Sequence, residues 1–107
     1  MDDYNMTMVQ GDTFSFGIEV AGFTDPVTGA EFVGKLELDG EQAWEKTLGD
    51  GVEYAGAEDD SSFYDVTLDP EDTEDLTPGQ YYYQLRLIFG EDVFTVMKGI
   101  LKIEGRI

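Results

Sequence analysis

The sequence predicts an all-β domain in which two antiparallel layers pack face to face. Apolar residues recur at every second position in several short segments, which is the period of a half-buried strand. Turn-forming residues interrupt these segments about every 8–12 positions, as they do in β-sandwiches. In a chain of 107 residues, this pattern favours an immunoglobulin-like antiparallel β-sandwich of seven or eight strands, with a small barrel as the alternative. We expect a single domain over residues 1–107.

The first half of the chain contains two clear alternating segments. One face of the first carries Phe14, Phe16, Ile18 and Val20. The second begins at Phe32 and predicts that Leu36 and Leu38 share its inward face, opposite Lys35 and Glu37, with Gly34 leaving a gap. The run Leu38-Asp39-Gly40-Glu41 predicts a hairpin closed by a type I′ turn, since Asp-Gly tolerates the positive φ that this turn requires. Trp44 would then lie on the returning strand.

The second half predicts two long strands and one helical turn. Alternation places Tyr64, Val66 and Leu68 inward, and then Tyr81, Tyr83, Leu85, Leu87 and Phe89. The last strand, from Val93 to Ile103, changes phase, and Lys98-Gly99 is the predicted site of a β-bulge. The only helical turn is expected directly after Pro70.

The segment that begins the longest strand, Leu76-Thr77-Pro78-Gly79-Gln80-Tyr81-Tyr82, resembles the tyrosine corner of fibronectin type III and related sandwiches. In that motif, a Tyr at the start of a late strand hydrogen-bonds back to the chain entering the corner. Spacing from Leu76 favours Tyr82 for this role, whereas alternation turns Tyr81 and Tyr83 inward. The sequence leaves open which tyrosine forms the corner.

Charge and composition exclude most familiar active sites. Six Lys and Arg against 24 Asp and Glu give a net charge of −18, which argues against binding to nucleic acid or to an anionic membrane. The absence of His and Cys removes imidazole bases, thiolate nucleophiles, Cys/His zinc sites and disulfides. Nothing in the sequence identifies two carboxylates as the catalytic pair of a glycosidase. We therefore predict a non-enzyme with no catalytic residues and no cofactor.

Two acidic segments raise the question of calcium. Five of the seven residues at 69–75 are carboxylates, and Ca²⁺ prefers such oxygen ligands. The spacing of an EF-hand loop is missing, so a solvated loop is the favoured interpretation and no metal site is predicted. The run Glu58-Asp59-Asp60 is interpreted in the same way, and whether either loop binds Ca²⁺ stays open.

The basic residues point to a candidate interface. Four of the six, from Arg86 onward, fall near the end of the chain, where exposed apolar residues are also expected. Apolar and aromatic groups mixed with Arg are typical of interface centres. The alternative is that the same residues simply pair with acidic residues on neighbouring strands. The candidate interface residues are Tyr82, Arg86, Ile88, Met97, Lys98 and Ile100.

Three segments resemble small virion proteins of phages and prophages, in particular the N-terminal domains of baseplate upper proteins. They are Gly11-Asp12-Thr13-Phe14-Ser15-Phe16 after a short strand, the run from Leu76 to Leu87, and the run from Thr95 to Ile103. The resemblance spans about Met6 to Ile103. It implies a virion structural protein made in the bacterial cytoplasm, which binds other virion proteins or copies of itself as a component of the tail, the baseplate or the head-completion region.

Two other functions remain as alternatives. An acidic sandwich could imitate the phosphates of DNA and inhibit a nucleic-acid-binding protein. A free-standing module could instead bind carbohydrate or another ligand through Trp44, Tyr54 and Phe63, although Trp44 is expected in the core because large aromatic residues are so often buried.

Overall fold

The computed structural model describes residues 4–22, 27–37 and 39–106. In these ranges the chain forms eight strands and one short helix, so the predicted all-β class is confirmed. The strands are β1 (Met6–Val9), β2 (Phe14–Ala21), β3 (Gly29–Lys35), β4 (Gln42–Leu48), β5 (Gly51–Glu58), β6 (Ser61–Leu68), β7 (Gly79–Phe89) and β8 (Asp92–Glu104). Helix α1 spans Pro70–Thr73, directly where the helical turn is expected.

The strands form two facing layers that are joined at one corner. Their ladder order is β1-β8-β7-β3-β4-β5-β6-β2, and only Thr47 and Leu48 of β4 pair with β5. Although β2 and β3 are far apart in this order, Phe16 and Phe32 meet with ring centroids 5.6 Å apart. The layers β1-β8-β7-β3-β4 and β5-β6-β2 therefore enclose one core. The strands β1 and β2 are at the two ends of the ladder order, so the sheet is open. An open sheet that folds into two facing layers is a sandwich and not a closed barrel.

This arrangement is immunoglobulin-like. The core of an immunoglobulin domain has seven strands in two layers. One layer contains the second, fifth and fourth strands, and the other contains the third, sixth and seventh; in variable-type domains an extra strand follows the third and extends the second of these layers. Here β2-β6-β5 faces β8-β7-β3, with β4 as the extension. The expectation of purely antiparallel pairing is wrong at two contacts, since β1–β8 and β4–β5 are parallel. After β1 the chain crosses to the opposite layer, so β1 and its neighbour β8 are not joined by a hairpin. They are therefore not required to be antiparallel.

Phe32 lies at the centre of the core. It is fully buried, and its ring contacts Trp44 and Tyr83 at centroid distances of 5.8 and 5.7 Å. The predicted inward faces of β2, β6 and β7 are confirmed. The buried apolar residues are Met8, Val20, Ala30, Phe32, Trp44, Val52, Tyr64, Val66, Leu68, Tyr81, Tyr83, Leu85, Leu87, Met97, Leu101 and Ile103.

The predicted hairpin between β3 and β4 is wrong in its details. Pairing ends at Lys35 and Gln42, so the connection is longer than a two-residue turn, and the Gly40 N–H donates to the Glu37 carbonyl. The register shift between Gly34 and Lys35 makes Ala43 on β4 the extra residue, and alternation along β3 continues unbroken to its end at Lys35. Leu36 lies beyond this end and is half exposed instead of in the core. Leu38 lies outside the described residues. Trp44 is on the returning strand, as predicted.

The phase change in β8 is confirmed, but its bulge lies earlier than predicted. Leu85 pairs with Met97 and Arg86 with Thr95, so Val96 is the extra residue. Gly99 has a different function from the predicted bulge, because a Cβ there would overlap the Tyr4 carbonyl. Its bare backbone allows the N-terminal segment to lie close to β8.

The structure identifies the corner tyrosine as Tyr81. Its hydroxyl donates to the Thr77 carbonyl at 2.6 Å. The Tyr83 hydroxyl donates to the Tyr4 carbonyl, whereas Tyr82 points outward. Alternation, which turns Tyr81 inward, thus agrees with the structure, whereas the spacing from Leu76 does not.

We expect the tyrosines to respond differently to removal of the hydroxyl. Tyr81→Phe and Tyr83→Phe each lose a hydrogen bond and should lower the free energy of unfolding by about 0.5–1.5 kcal/mol. The buried Tyr64 hydroxyl has no partner among the described residues, so Tyr64→Phe should be neutral or stabilising. Urea unfolding measures these changes, with exposed Tyr82→Phe as the control. Equal midpoints for Tyr81→Phe and Tyr82→Phe would contradict the corner assignment.

Candidate protein-binding face

The outer surface of β3, β7 and β8 combines apolar and basic side chains. Because Tyr81, Tyr83 and Leu85 turn into the core, the residues between them turn outward. Strand pairing aligns Lys35, Tyr82 and Ile100 in one row across the three strands. We call this surface the front face; its apolar, amide and basic residues are Val33, Lys35, Tyr82, Gln84, Arg86, Ile88, Lys98, Ile100 and Lys102. The same register also places two carboxylates there, Glu31 and Glu104, so that basic residues outnumber acidic ones.

A shallow groove of about 390 Å³ crosses the front face. Tyr82 is 44% exposed, and Ile100, its pairing partner on β8, is half-buried. In the next row, Gln84 lies between Val33 and Lys98. The groove therefore combines apolar, amide and basic side chains, a mixture that is also found at protein interfaces.

The front face holds most of the basic residues of this acidic protein. Arg86 pairs with Glu31 at 3.0 Å, as the cross-strand alternative predicts. For Lys35, Lys98 and Lys102, by contrast, no carboxylate lies within ion-pair distance in the described part of the chain. Within the described ranges, three lysines thus have no acidic partner on a protein of net charge −18.

Five of the six candidate interface residues lie on the front face. The exception is Met97, which is 8% exposed and belongs to the core. The prediction for Met97 is wrong because the bulge at Val96 moves the parity change ahead of this residue. Arg106 also lies apart from the face and pairs with Asp12.

Several front-face residues were missing from the predicted set, among them Val33, Lys35, Gln84 and Lys102. Alternation from Phe32 already turns Lys35 away from the core. However, only the pairing of β3 with β7 brings Val33 and Lys35 next to Tyr82 and Gln84. This pairing joins segments about 50 positions apart in the chain, and no local pattern predicts it.

The acidic segment at 69–75 is held by a buried lysine. The Lys46 ammonium lies 2.8 Å from Asp72 and 3.6 Å from Asp69, and Lys46 is 7% exposed. The Asp72 carboxylate also accepts the Asp69 N–H at 2.7 Å. Gly51 makes room for the lysine stem, since a Cβ there would lie 2.6 Å from it.

This environment changes the acidity of Lys46. Burial lowers the pKa of Lys46, but the hydrogen bond from its ammonium to Asp72 and the charges of Asp72, Asp69 and Asp50 outweigh burial, so the pKa is raised above its usual value of 10.5. Burial also raises the pKa of Tyr81 above 10.0. Both groups hold their proton more tightly in the folded state.

We therefore expect alkaline pH to destabilise the protein. The contribution of Lys46 is complete below pH 10.5 and is lost as the pH rises through the raised pKa. The contribution of Tyr81 has the same sign. Urea midpoints measured from pH 9 to about pH 12 should fall less steeply for Lys46→Met/Tyr81→Phe than for the wild type. Parallel profiles would contradict this account.

The carboxylates of the two acidic segments have different surroundings. Among the described residues, no three His, Cys, Asp or Glu side chains are grouped to hold a metal ion. Asp69 and Asp72 already face Lys46. In the other segment, Asp59 adopts a positive φ of 54° in the exposed turn between β5 and β6.

The aromatic residues considered for ligand stacking do not form a common platform. Trp44 is 4% exposed and packs in the core, so it cannot stack on an external ligand. Tyr54 is 45% exposed, but its ring packs on Tyr64 with centroids 5.6 Å apart. Phe63 is half-buried.

No family model matches the chain, and no curated protein matches it. Among solved structures, the chain is similar to the crystal structure of the ZIG-8 IG1 homodimer, with 12% identity and a TM-score of 0.37 over 97% of this chain and 81% of that chain. At this TM-score, the immunoglobulin-like assignment rests on the strand order described above. In the described residues, no helix has the length and apolar character that a bilayer crossing requires.

Proposed function

We propose that this protein is a non-enzymatic structural or assembly component of a phage or prophage virion, and that it binds a neighbouring protein through the front face. The observation that carries this proposal is the row of exposed Tyr82 and half-buried Ile100 beside lysines that have no acidic partner in the described residues. Aromatic and apolar groups supply most of the energy at protein interfaces.

The charge of the protein supports a partner of protein type. Phosphate-rich ligands would be repelled by a net charge of −18. The front face carries four of the six basic residues, Lys35, Arg86, Lys98 and Lys102, so an acidic protein partner is repelled less there. A partner with apolar groups at its centre and carboxylates around them would bury Tyr82 and pair the lysines.

The virion role is supported by the resemblance to the N-terminal domains of baseplate upper proteins. Virion proteins of this kind act by contact, and a rigid sandwich presents its outer faces without rearrangement. The protein would be made in the bacterial cytoplasm and located in the assembled particle, in contact with other virion proteins or with copies of itself.

The test is incorporation into purified particles. Quantitative mass spectrometry of gradient-purified particles should find the wild-type protein in a fixed ratio to the other structural proteins. Tyr82→Glu should reduce incorporation, because it places a charge at the centre of the proposed contact. Tyr54→Glu is the matched control, since Tyr54 is equally exposed but lies on β5.

Two results would overturn the proposal. The first is absence of the wild-type protein from purified particles, especially with stoichiometric capture of a basic DNA-binding protein, which would indicate DNA mimicry. The second is equal incorporation of Tyr82→Glu and Tyr54→Glu, which would exclude the front face as the contact.

A further inference from the structure

The outer surface of β2, β5 and β6 has the opposite charge from the front face. We call it the back face; its charged residues are Glu19, Glu53, Glu58 and Asp65, all of them exposed. None of these three strands contains a Lys or Arg. Glu53 and Asp65 are direct partners across β5 and β6, so two carboxylates lie side by side.

The two faces point in opposite directions. Each layer turns its apolar residues toward the shared core, as the contact between Phe16 and Phe32 demonstrates, so the remaining residues point away from the sandwich on its two sides. The back face also has an apolar element near its centre, Phe63, which lies between the buried residues Ser62 and Tyr64 and is half-buried.

We propose that the front face of one copy binds the back face of a second copy, so that the sandwiches stack head to tail. This inference rests on the proposed function and names the partner surface. Lys98 and Lys102 of one copy would face the carboxylates of Glu53 and Asp65 of the next, and the apolar row of Tyr82 and Ile100 would meet Phe63.

Charge favours this contact over a symmetric one. A front-to-front dimer would bring the lysines of two copies together, and a back-to-back dimer would do the same with carboxylates. Like charges across an interface cost several kcal/mol. A front-to-back contact is heterologous and leaves one free face at each end, so it can continue into a longer stack.

The net charge predicts how this association depends on salt. Copies of charge −18 repel each other at long range in dilute buffer. At about 0.15 M salt, charges are screened beyond about 8 Å, whereas the contacts across the interface are shorter. Sedimentation at high protein concentration should therefore show more association at this ionic strength than at about 0.01 M.

Charge reversal provides the decisive test. The front variant Lys98→Glu/Lys102→Glu and the back variant Glu53→Lys/Asp65→Lys should each self-associate at least about tenfold more weakly than the wild type. An equimolar mixture should recover association, because the acidic front of one variant then meets the basic back of the other. The control Glu91→Lys/Asp92→Lys changes the net charge as much as the back variant does. Its residues are the last of the β7–β8 turn and the first of β8, and it should associate at least as well as the wild type.

Three outcomes would overturn the head-to-tail stack. They are a wild type that stays monomeric at every concentration and salt, a back variant that associates like the wild type, and a mixture that fails to recover. A wild-type protein that is monomeric but is still incorporated into particles through Tyr82 would contradict the head-to-tail stack and support the proposed function. A protein that stacks but is absent from particles would support the stack and contradict the proposed function.

Discussion

Phe32→Ala is expected to lower the free energy of unfolding by about 3–5 kcal/mol. Phe32 has no exposed surface, and its ring joins the two layers through Phe16 on β2. On the same layer it contacts Trp44 and Tyr83. Removing the ring leaves a cavity bounded by three other aromatic rings, which cannot all move inward to fill it.

Thermal and urea unfolding both measure this effect. The transition temperature should fall by about 12 °C or more, given about 4–8 °C per kcal/mol for a domain of this size. Phe94→Ala is the control, because Phe94 is 41% exposed. A change at Phe32 no larger than the change at Phe94 would refute the central position of Phe32 in the core.

Gly34→Ala is expected to destabilise the protein by about 1–3 kcal/mol. A Cβ at this position would overlap three atoms of the Trp44 indole. The ring has little freedom to withdraw, since it is 4% exposed and packs on Tyr81 with centroids 5.7 Å apart. The predicted gap at Gly34 is therefore the space that the indole fills.

A double-mutant cycle separates this overlap from a general preference for glycine. If the indole is the obstacle, Gly34→Ala should be much less destabilising in a Trp44→Leu background than in the wild type. Gly29→Ala on the same strand is the control, because its nearest neighbour would be the flexible end of Ile88 at 3.3 Å. Additive effects of Gly34→Ala and Trp44→Leu would contradict the overlap.

These two variants also bear on the front face. Phe32 and Gly34 point inward, and the residues next to them, Val33 and Lys35, belong to the front face. A strand displaced by an overpacked Trp44 would move Lys35 away from Tyr82, its partner on β7. Loss of front-face binding in Gly34→Ala should therefore be recovered, at least in part, in the Trp44→Leu background.

Local patterns succeeded where a property repeats along one strand. Alternation alone placed Tyr81, Tyr83 and Leu85 in the core and turned Tyr82 and Arg86 outward, because neighbouring side chains of a strand must point to opposite faces. Pro70 located α1, since proline is favoured at the first position of a helix. The same patterns failed at Leu36, which lies beyond the end of β3. They also failed at Met97, where a bulge reverses the parity of β8 without a sequence signal that identifies its position.

Lys46 shows the limit of composition as a guide. Counting carboxylates at 69–75 suggested a solvated loop or a calcium site. Most of the segment is exposed, as a solvated loop predicts, but a lysine on β4, more than 20 positions earlier in the chain, is buried against Asp72 and Asp69. Its position depends on the space above Gly51 and on the corner between β4 and β5, neither of which follows from the acidic run.

The sequence by itself determined that the chain forms short strands with one apolar side each, that it carries a large excess of negative charge, and that it lacks His and Cys. Only the tertiary structure decided the order of the strands, and with it the gathering of Lys35, Tyr82 and Ile100 on one face and of Glu53 and Asp65 on the other. The physical reason is that the direction of a side chain is set by its own strand. Its neighbours are set by pairings between distant segments, which depend on how all the apolar faces can be buried together.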